Sequence, residues 1–288
     1  MSEIKIDKIE KSDIIAPQLE VGASVIVFQR HEQYERNSQA DNAGSIIPDV
    51  IENAKQRDKD FFFEVLARDS IDSETMVLFV SSDTQYAGNG YRSMETAQVA
   101  QDAAVEAMSE LGINPAERIL NFNPAFKTNN FEATGQSVRP DKNIREPQIF
   151  ESMDYVSYLK EKYGGLTPEA WAAHEMDAEK EKREEFGAES VFEMLERTKK
   201  SIKIMERYSR VFHANNPNKK LIIWATSHYD TISPLVKDAT DTGFDTFVPV
   251  DYGAGVVIEL GKDSEPTLSA QGQKVALKLG RKATSASE

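Results

Sequence analysis

The sequence predicts an α/β domain built on an open sheet, and three observations carry that prediction. Strand-like and helix-like patterns alternate from about Val21 to Leu260 with no long linker between them. Two apolar runs, Val25–Phe28 and Leu221–Ala225, are continuous rather than alternating, the pattern of strands buried on both faces. Each run then stops at a polar tip that carries a histidine: Gln29, Arg30 and His31 after the first, Thr226, Ser227 and His228 after the second. Ligands in open α/β sheets bind outside the carboxyl ends of the strands. Two of the chain's 4 histidines therefore stand where a site is expected, on strands expected to lie side by side.

Composition narrows the function classes. The 288 residues, 40% of them hydrophobic, suffice for one large domain. With 48 acidic against 34 basic residues the formal net charge is -14, which argues against a general nucleic-acid or anionic-membrane surface. A local arginine cluster can still hold a small anion. The chain has 0 cysteines, which removes disulfides and thiolate metal sites. No apolar run is long enough to span a membrane and the N-terminus lacks a signal-peptide core, so the expected location is the cytoplasm.

Taken in order, residues 1–20 are charged and weakly patterned, an N-terminal arm that packs or stays mobile. A strand over roughly Ala23–Phe28 leads into a polar loop, and Pro48 opens a helix to about Arg57. The cluster Phe61, Phe62, Phe63, Val65 and Leu66 is either buried helix or a packing knot. Met76–Val80 reads as a second strand ending in Ser81, Ser82 and Asp83. Arg92 then starts a helix whose Ala97, Ala100, Ala104, Met108 and Leu111 share one stripe, with Gly112 as its stop. Ile119–Phe122 reads as another strand, and residues 127–143 as a long polar excursion, a length more often functional than idle. Asp154–Lys162 is expected to be helical. Thr167-Pro168 caps a further helix, Asp177–Glu185 is a solvated charged helix, and Val191–Phe212 repeats at helical spacing. A helix is expected around Ser233-Pro234. D-T-F-V-P-V (residues 245–250) and Gly255–Leu260 read as two edge strands, which are a candidate surface for a homodimer. The last residues are expected to be disordered.

The residue types at these tips point to phosphoryl transfer. A neutral imidazole is a competent nucleophile toward phosphorus. Arginine offers a planar fork of donors matched to phosphate oxygens, and an alkoxide leaving group needs a proton that a carboxylic acid can supply. His31, His228, Arg30, Arg92 and Asn37, with a nearby glutamate, suit this chemistry better than acyl transfer. No G-x-S-x-G elbow or P-loop competes.

Five segments, in order, resemble one family. Arg30–Asn37, R-H-E-Q-Y-E-R-N, is similar to the R-H-G-E-[TS]-x-x-N signature of the histidine phosphatase, or phosphoglycerate mutase-like, superfamily. Ser81–Ala97 resembles that family's S-p-l…R-a-x-x-T-A segment and matches Arg92 to its second phosphate arginine. I-R-E-P-Q-I-F, around Glu146, resembles its L-x-E segment. Gly187–Arg197 resembles the helix before the last strand, and Ile222–His228 the v-v-x-H segment. The resemblance implies a three-layer α/β/α sandwich with a mostly parallel central sheet. Residues 21–262 would form the domain, 127–186 a cap on it, and 263–288 a C-terminal extension. It also implies a metal-independent phosphomonoesterase, without cofactor, acting on a small phosphorylated molecule. His31 would become a phosphohistidine, Arg30, Arg92, His228 and Asn37 would hold the phosphoryl oxygens, and Glu146 would protonate the leaving group. A phosphoglycerate mutase-type phosphotransferase and a non-catalytic phosphate binder on the same fold are the alternatives.

Two departures bear on activity. Glu32 stands where the family has glycine, and Gln33 where it has glutamate. If the Glu32 carboxylate points into the pocket, it opposes phosphate; if it points away, it shapes the entrance. The second departure is His228-Tyr229-Asp230. Asp230 is one residue later than the donor aspartate of the acid-phosphatase branch, so it is either a second donor candidate or a helix N-cap.

Overall fold

The computed structural model describes residues 6, 8–37, 39–70, 72–82, 90–121, 141–144 (backbone), 153–261 and 265–280. Strand β1, Ser24–Arg30, is the central strand, and it is apolar without interruption from Val25 to Phe28 because both faces are covered. Val25 and Val27 pack on one face against Phe61, Phe62, Ala100 and Ala104, whereas Ile26 and Phe28 pack on the other against Leu195, Ile202, Ile232 and Leu235. The helices of the first face are α1, Pro48–Leu66, and α2, Arg92–Glu110. Those of the second are a long amphipathic helix over Val191–Asn215 and the helix Tyr229–Thr240. The aromatic cluster at Phe61 and Phe62 is therefore the last turns of α1, continuous with its start at Pro48, and it packs on Trp224 with ring centroids 5.2 and 5.0 Å away.

Strand β2, Glu74–Ser82, is longer at both ends than its apolar core Met76–Val80. After α2 come a short helix α3, Pro115–Arg118, and an isolated bridge from Ile119 to Val77; of the strand expected over Ile119–Phe122, residues 119–121 are described and carry only this bridge. Strand β3, Asp141–Ile144, pairs with β2. Helices α4, Met153–Tyr163, α5, Pro168–Glu175, and α6, Lys180–Glu185, follow, then α7, Val191–Asn215. Thr167 and Ser190 cap α5 and α7 as their sequences require, accepting from Ala170 N and Glu193 N. Strand β4, Lys219–Ser227, leads into α8, Tyr229–Thr240, which begins directly after His228 and contains Pro234, so the helix starts four residues earlier than Ser233.

The seven-stranded sheet has the order β3-β2-β4-β1-β5-β6-β7. Strands β5, Gly255–Leu260, β6, Thr267–Ala270, and β7, Gln273–Ala276, complete it. Pairings β1–β4, β2–β4 and β2–β3 are parallel, and β1–β5, β5–β6 and β6–β7 are antiparallel. The expectation of a mostly parallel sheet is corrected accordingly: the sheet is mixed, half and half among the described strands. Short connections between β5, β6 and β7 leave room only for antiparallel neighbours. Two further expectations change. Residues 245–250 form no strand beyond a bridge from Val250 to Ile9, and Gly255–Leu260 is an interior strand between β1 and β6. Residues 267–276, expected to lie in an extension, are part of the sheet. The N-terminal residues Ile6 and Ile9 are buried, Ile9 N donating to Pro249 O at 2.8 Å. Among the described residues no helix is long and apolar enough to cross a membrane.

Candidate active site

Parallel pairing of β1 with β4, in register from Ser24↔Leu221 to Arg30↔Ser227, makes the two strands end together. His31 and His228 follow at the same level, and their rings lie 5.1 Å apart, as the two apolar runs predict. β2 ends beside them, in register with β4 up to Ser81↔Thr226. Ser82 at its tip and Ser93 at the start of α2 place their hydroxyls 3.2 and 3.3 Å from His228 Nε2. Arg92, buried at the first position of α2, directs its Nε–H at His31 Nε2 across 3.2 Å. Glu95 does not compete for Arg92 here: its carboxylate accepts from Tyr91 N and Ile46 N at the helix start.

The orientation of His31 is fixed from its other nitrogen. Nδ1 lies 2.7 Å from the backbone carbonyl of Glu32. A carbonyl only accepts, so Nδ1 carries the proton and Nε2 presents its lone pair toward Arg92. Burial, reinforced by the charges of Arg92 and Arg30 and by His228, holds His31 well below the usual imidazole range. Burial, then Arg92 and Arg30, does the same for His228. Both rings are neutral at neutral pH, the state in which an imidazole is nucleophilic.

Arg30 is half-buried. Its Nη1 donates to Val250 O, and its guanidinium lies 3.9 Å from the Tyr252 ring centroid. Burial lowers its pKa from the ordinary arginine value. Tyr34 and Tyr252 flank His31 with centroids 5.3 and 5.6 Å away, and the Tyr34 ring also sits under Arg92 at 4.8 Å. Exposed Arg36 donates to the Tyr252 hydroxyl at the rim. The cluster thus offers one oriented neutral imidazole, a second imidazole and two guanidinium groups. A phosphoryl group placed among them meets a nucleophile on one side and cationic donors around its oxygens.

Glu32 is fully buried, and its carboxylate engages Arg57 at 2.8 Å and Lys11 at 3.3 Å, not the pocket arginines. Of the two orientations open to it in the sequence, the structure has the one directed away from the cationic cluster. Asp230 is also buried, at 2% exposure, but among the described residues no other residue hydrogen-bonds its carboxylate. His228 takes the N-cap position of α8, so Asp230 lies inside the first turn and is not the cap. Burial pushes its carboxyl up to about 7, against the opposing pull of its own backbone N–H and of Arg92, Arg30 and Arg197.

The predicted residues His31, His228, Arg30 and Arg92 are brought together. Asn37 is not: it is exposed, and its side chain accepts from Gln39 N at 3.1 Å. Glu146 lies outside the described residues. Tyr34, Arg36 and Tyr252 join the pocket rim without a sequence motif of their own. Ser82 and Ser93 were visible only as neighbours of a strand end and of Arg92. His213 is structural, its Nε2 2.7 Å from Ser24 Oγ, and His174 is buried in α5 beside Tyr155. Among the described residues no group of three or more His, Asp or Glu is arranged to hold a metal ion.

No family model matches the chain, and no curated protein matches it by sequence. Solved structures resemble its fold. A phosphoglycerate mutase from Bacillus anthracis str. Sterne is 16% identical, with a TM-score of 0.49 over 87% of this chain and 93% of that one. Mycobacterial hydrolase 1 is 14% identical, with a TM-score of 0.48 over 87% and 99%. Bacillus stearothermophilus YhfR is 12% identical, with a TM-score of 0.40 over 87% and 98%. Likenesses this distant leave the chemistry of the pocket to be read from its own geometry.

Proposed function

We propose that the chain is a metal-independent phosphomonoesterase that hydrolyses a small phosphorylated molecule through a phosphohistidine on His31. The observation that carries this reading is the His31 imidazole itself, neutral, with Nδ1–H tied to the Glu32 carbonyl and Nε2 turned toward the Arg92 guanidinium. In the first step the Nε2 lone pair attacks phosphorus, the N–P bond forms, and the ester P–O bond breaks. The leaving alkoxide takes a proton from a carboxylic acid. In the second step water attacks the phosphohistidine, the same group takes a proton from that water, and phosphate leaves as His31 is restored. Arg30, Arg92 and His228 stabilise the charge on the transferring oxygens throughout.

Asp230 and Glu146 are the candidates for the proton carrier. Asp230 has the attributes the role demands: it is buried, bonded by no other described residue, and pushed up to about 7. The pairing of Glu32 with Arg57 and Lys11, away from the pocket arginines, favours turnover over an inactive phosphate binder.

Phosphate release from an aryl phosphate, followed from pH 4 to 8 with a chelator present, tests the reading. Turnover that survives the chelator and is lost in His31→Ala supports it. Turnover that persists in His31→Ala, or that the chelator abolishes, contradicts it. Interconversion of 2- and 3-phosphoglycerate in place of hydrolysis would turn the reading toward a mutase.

A further inference from the structure

The residue after His31 is held by every polar group it has. Glu32 N donates to Thr96 Oγ1 at 2.9 Å, and its carbonyl accepts from His31 Nδ1 at 2.7 Å. Its side chain, with no exposed surface, receives Arg57 Nη1 at 2.8 Å and Lys11 Nζ at 3.3 Å. Two cations thus bind one buried carboxylate on the far side of the nucleophile. The neighbouring backbone is fitted to it. Gly253 has φ +71° and donates its N–H to His31 O at 3.2 Å, and a Cβ at this position would come 2.0 Å from Glu32 Oε1. The carboxylate occupies space that only a glycine leaves.

Both cations come from outside the strand-tip pocket. Arg57 is on α1, where it also pairs with buried Asp58 at 2.7 Å. Lys11 belongs to the N-terminal segment, before the start of the domain that the sequence suggests. That segment is anchored at three places. Ile9 bridges Val250, the residue whose carbonyl accepts from Arg30. Lys8 pairs with Asp251 at 2.8 Å. Asp13 Oδ1 accepts from Gln271 N at 3.1 Å. One segment therefore touches both the support of Arg30 and the support of His31.

We propose that Glu32 is a positioning residue, clamped by Arg57 and by Lys11 of the N-terminal arm, that fixes the carbonyl selecting the Nδ1–H tautomer of His31. Glycine at this position would leave the peptide free to rotate. The clamped glutamate sets it in one orientation and keeps the Nε2 lone pair in the pocket. The N-terminal arm is then part of the active-site framework and not an appendage. A misplacement of about 1 Å at a reacting group can cost about a hundredfold in rate, so loosening the clamp acts on kcat more than on KM.

The rate readout rests on the phosphatase reading; the tautomer readout does not. In full-length protein labelled with 15N-histidine, long-range 1H–15N correlation spectra report which ring nitrogen carries the proton, and His31→Gln assigns the His31 signals. In wild type His31 is expected as the pure Nδ1–H form. In Glu32→Ala its two 15N shifts converge as the tautomers mix, and kcat on an aryl phosphate falls about 10- to 100-fold while KM stays within about twofold. Lys11→Met, at a half-exposed side chain that tolerates replacement, moves both readouts in the same direction by about two- to fivefold in kcat, and it serves if Glu32→Ala fails to fold. An unchanged tautomer in both variants overturns the proposal. A wild type without His31-dependent phosphate release, but with the tautomer shift in the variants, defeats the phosphatase reading and leaves the positioning role standing.

Discussion

Glu32 follows His31 by one residue and Asp230 follows His228 by two, and both side chains are buried at the ends of neighbouring parallel strands. Glu32 meets Arg57 and Lys11 at 2.8 and 3.3 Å, so its charge is balanced inside the fold. Asp230 receives no hydrogen bond from another described residue; its own backbone N–H and, through space, the arginines oppose the effect of its burial. Burial pushes its carboxyl up to about 7, well above the ordinary carboxylate range. Burial is common to the two carboxylates, and their partners differ: Glu32 is held by two cations, whereas Asp230 has none within bonding distance.

The sharpest way to break this contrast is Asp230→Asn. If Asp230 carries the proton, kcat falls about a thousandfold and the basic limb of the pH–rate profile near 7 disappears. A small loss with the limb retained would assign the proton to Glu146. The same variant tests stability. The folded chain keeps the Asp230 proton at pH values where the unfolded chain has released it. The associated stability is present below about pH 4 and is lost as pH rises through about 7. Asp230→Asn is therefore expected to be more stable than wild type at pH 8, by on the order of 4 kcal/mol, with the difference vanishing by pH 4. Thermal unfolding of both proteins across that range measures it. The depressed His31 and His228 titrations are common to both proteins and cancel in the difference.

Arg92→Met separates the two acids next. Arg92 acts on Asp230 and touches His31, but it does not bond Glu32. Its loss is expected to lower kcat/KM about a hundredfold and to move the basic limb of the rate profile to higher pH, because a cation that favours the Asp230 carboxylate is gone. A limb that stays in place would mean that the titrating group is not Asp230. The smallest effect concerns the other acid. Gly253→Ala drives a Cβ to within 2.0 Å of Glu32 Oε1 at a φ of +71°. It is expected to cost about 1–3 kcal/mol in chemical denaturation. In Glu32→Ala the same change is expected to cost less, since the clash with the carboxylate is removed and the φ and the contact with Arg57 Nη1 remain. Equal costs in both backgrounds would show that Gly253 serves its backbone conformation alone.

The parts of this pocket that were legible in the sequence are those set by strand burial. Val25–Phe28 and Leu221–Ala225 are apolar without interruption because helices cover both faces of β1 and β4, and their abrupt polar ends located His31 and His228. Arg92 was legible through the stripe of small residues on α2, which places it at the first turn. The antiparallel edge was not. β6 and β7 are four residues each, too short and too polar to show a period. The direction of Glu32 was undecidable from its neighbours, because it is set by Arg57, Lys11 and Gly253, which are remote in sequence. Asp230 in H-Y-D reads as a helix cap, and only the packing of α8 against the sheet reveals it as a buried acid. Tyr252 escaped because its loop is fixed by contacts to the N-terminal segment and to Arg30, not by a local pattern.

The nucleophilic role proposed for His31 Nε2 can be tested without knowing the natural substrate. The protein would be mixed with a 32P-labelled aryl phosphate and quenched in alkali, which preserves phosphohistidine, and the digested peptides would be mapped. The account predicts label on the peptide that contains His31, discharged on further incubation in water and absent from His31→Ala. Turnover with no label on that peptide at any quench time, or label on another residue, would contradict it.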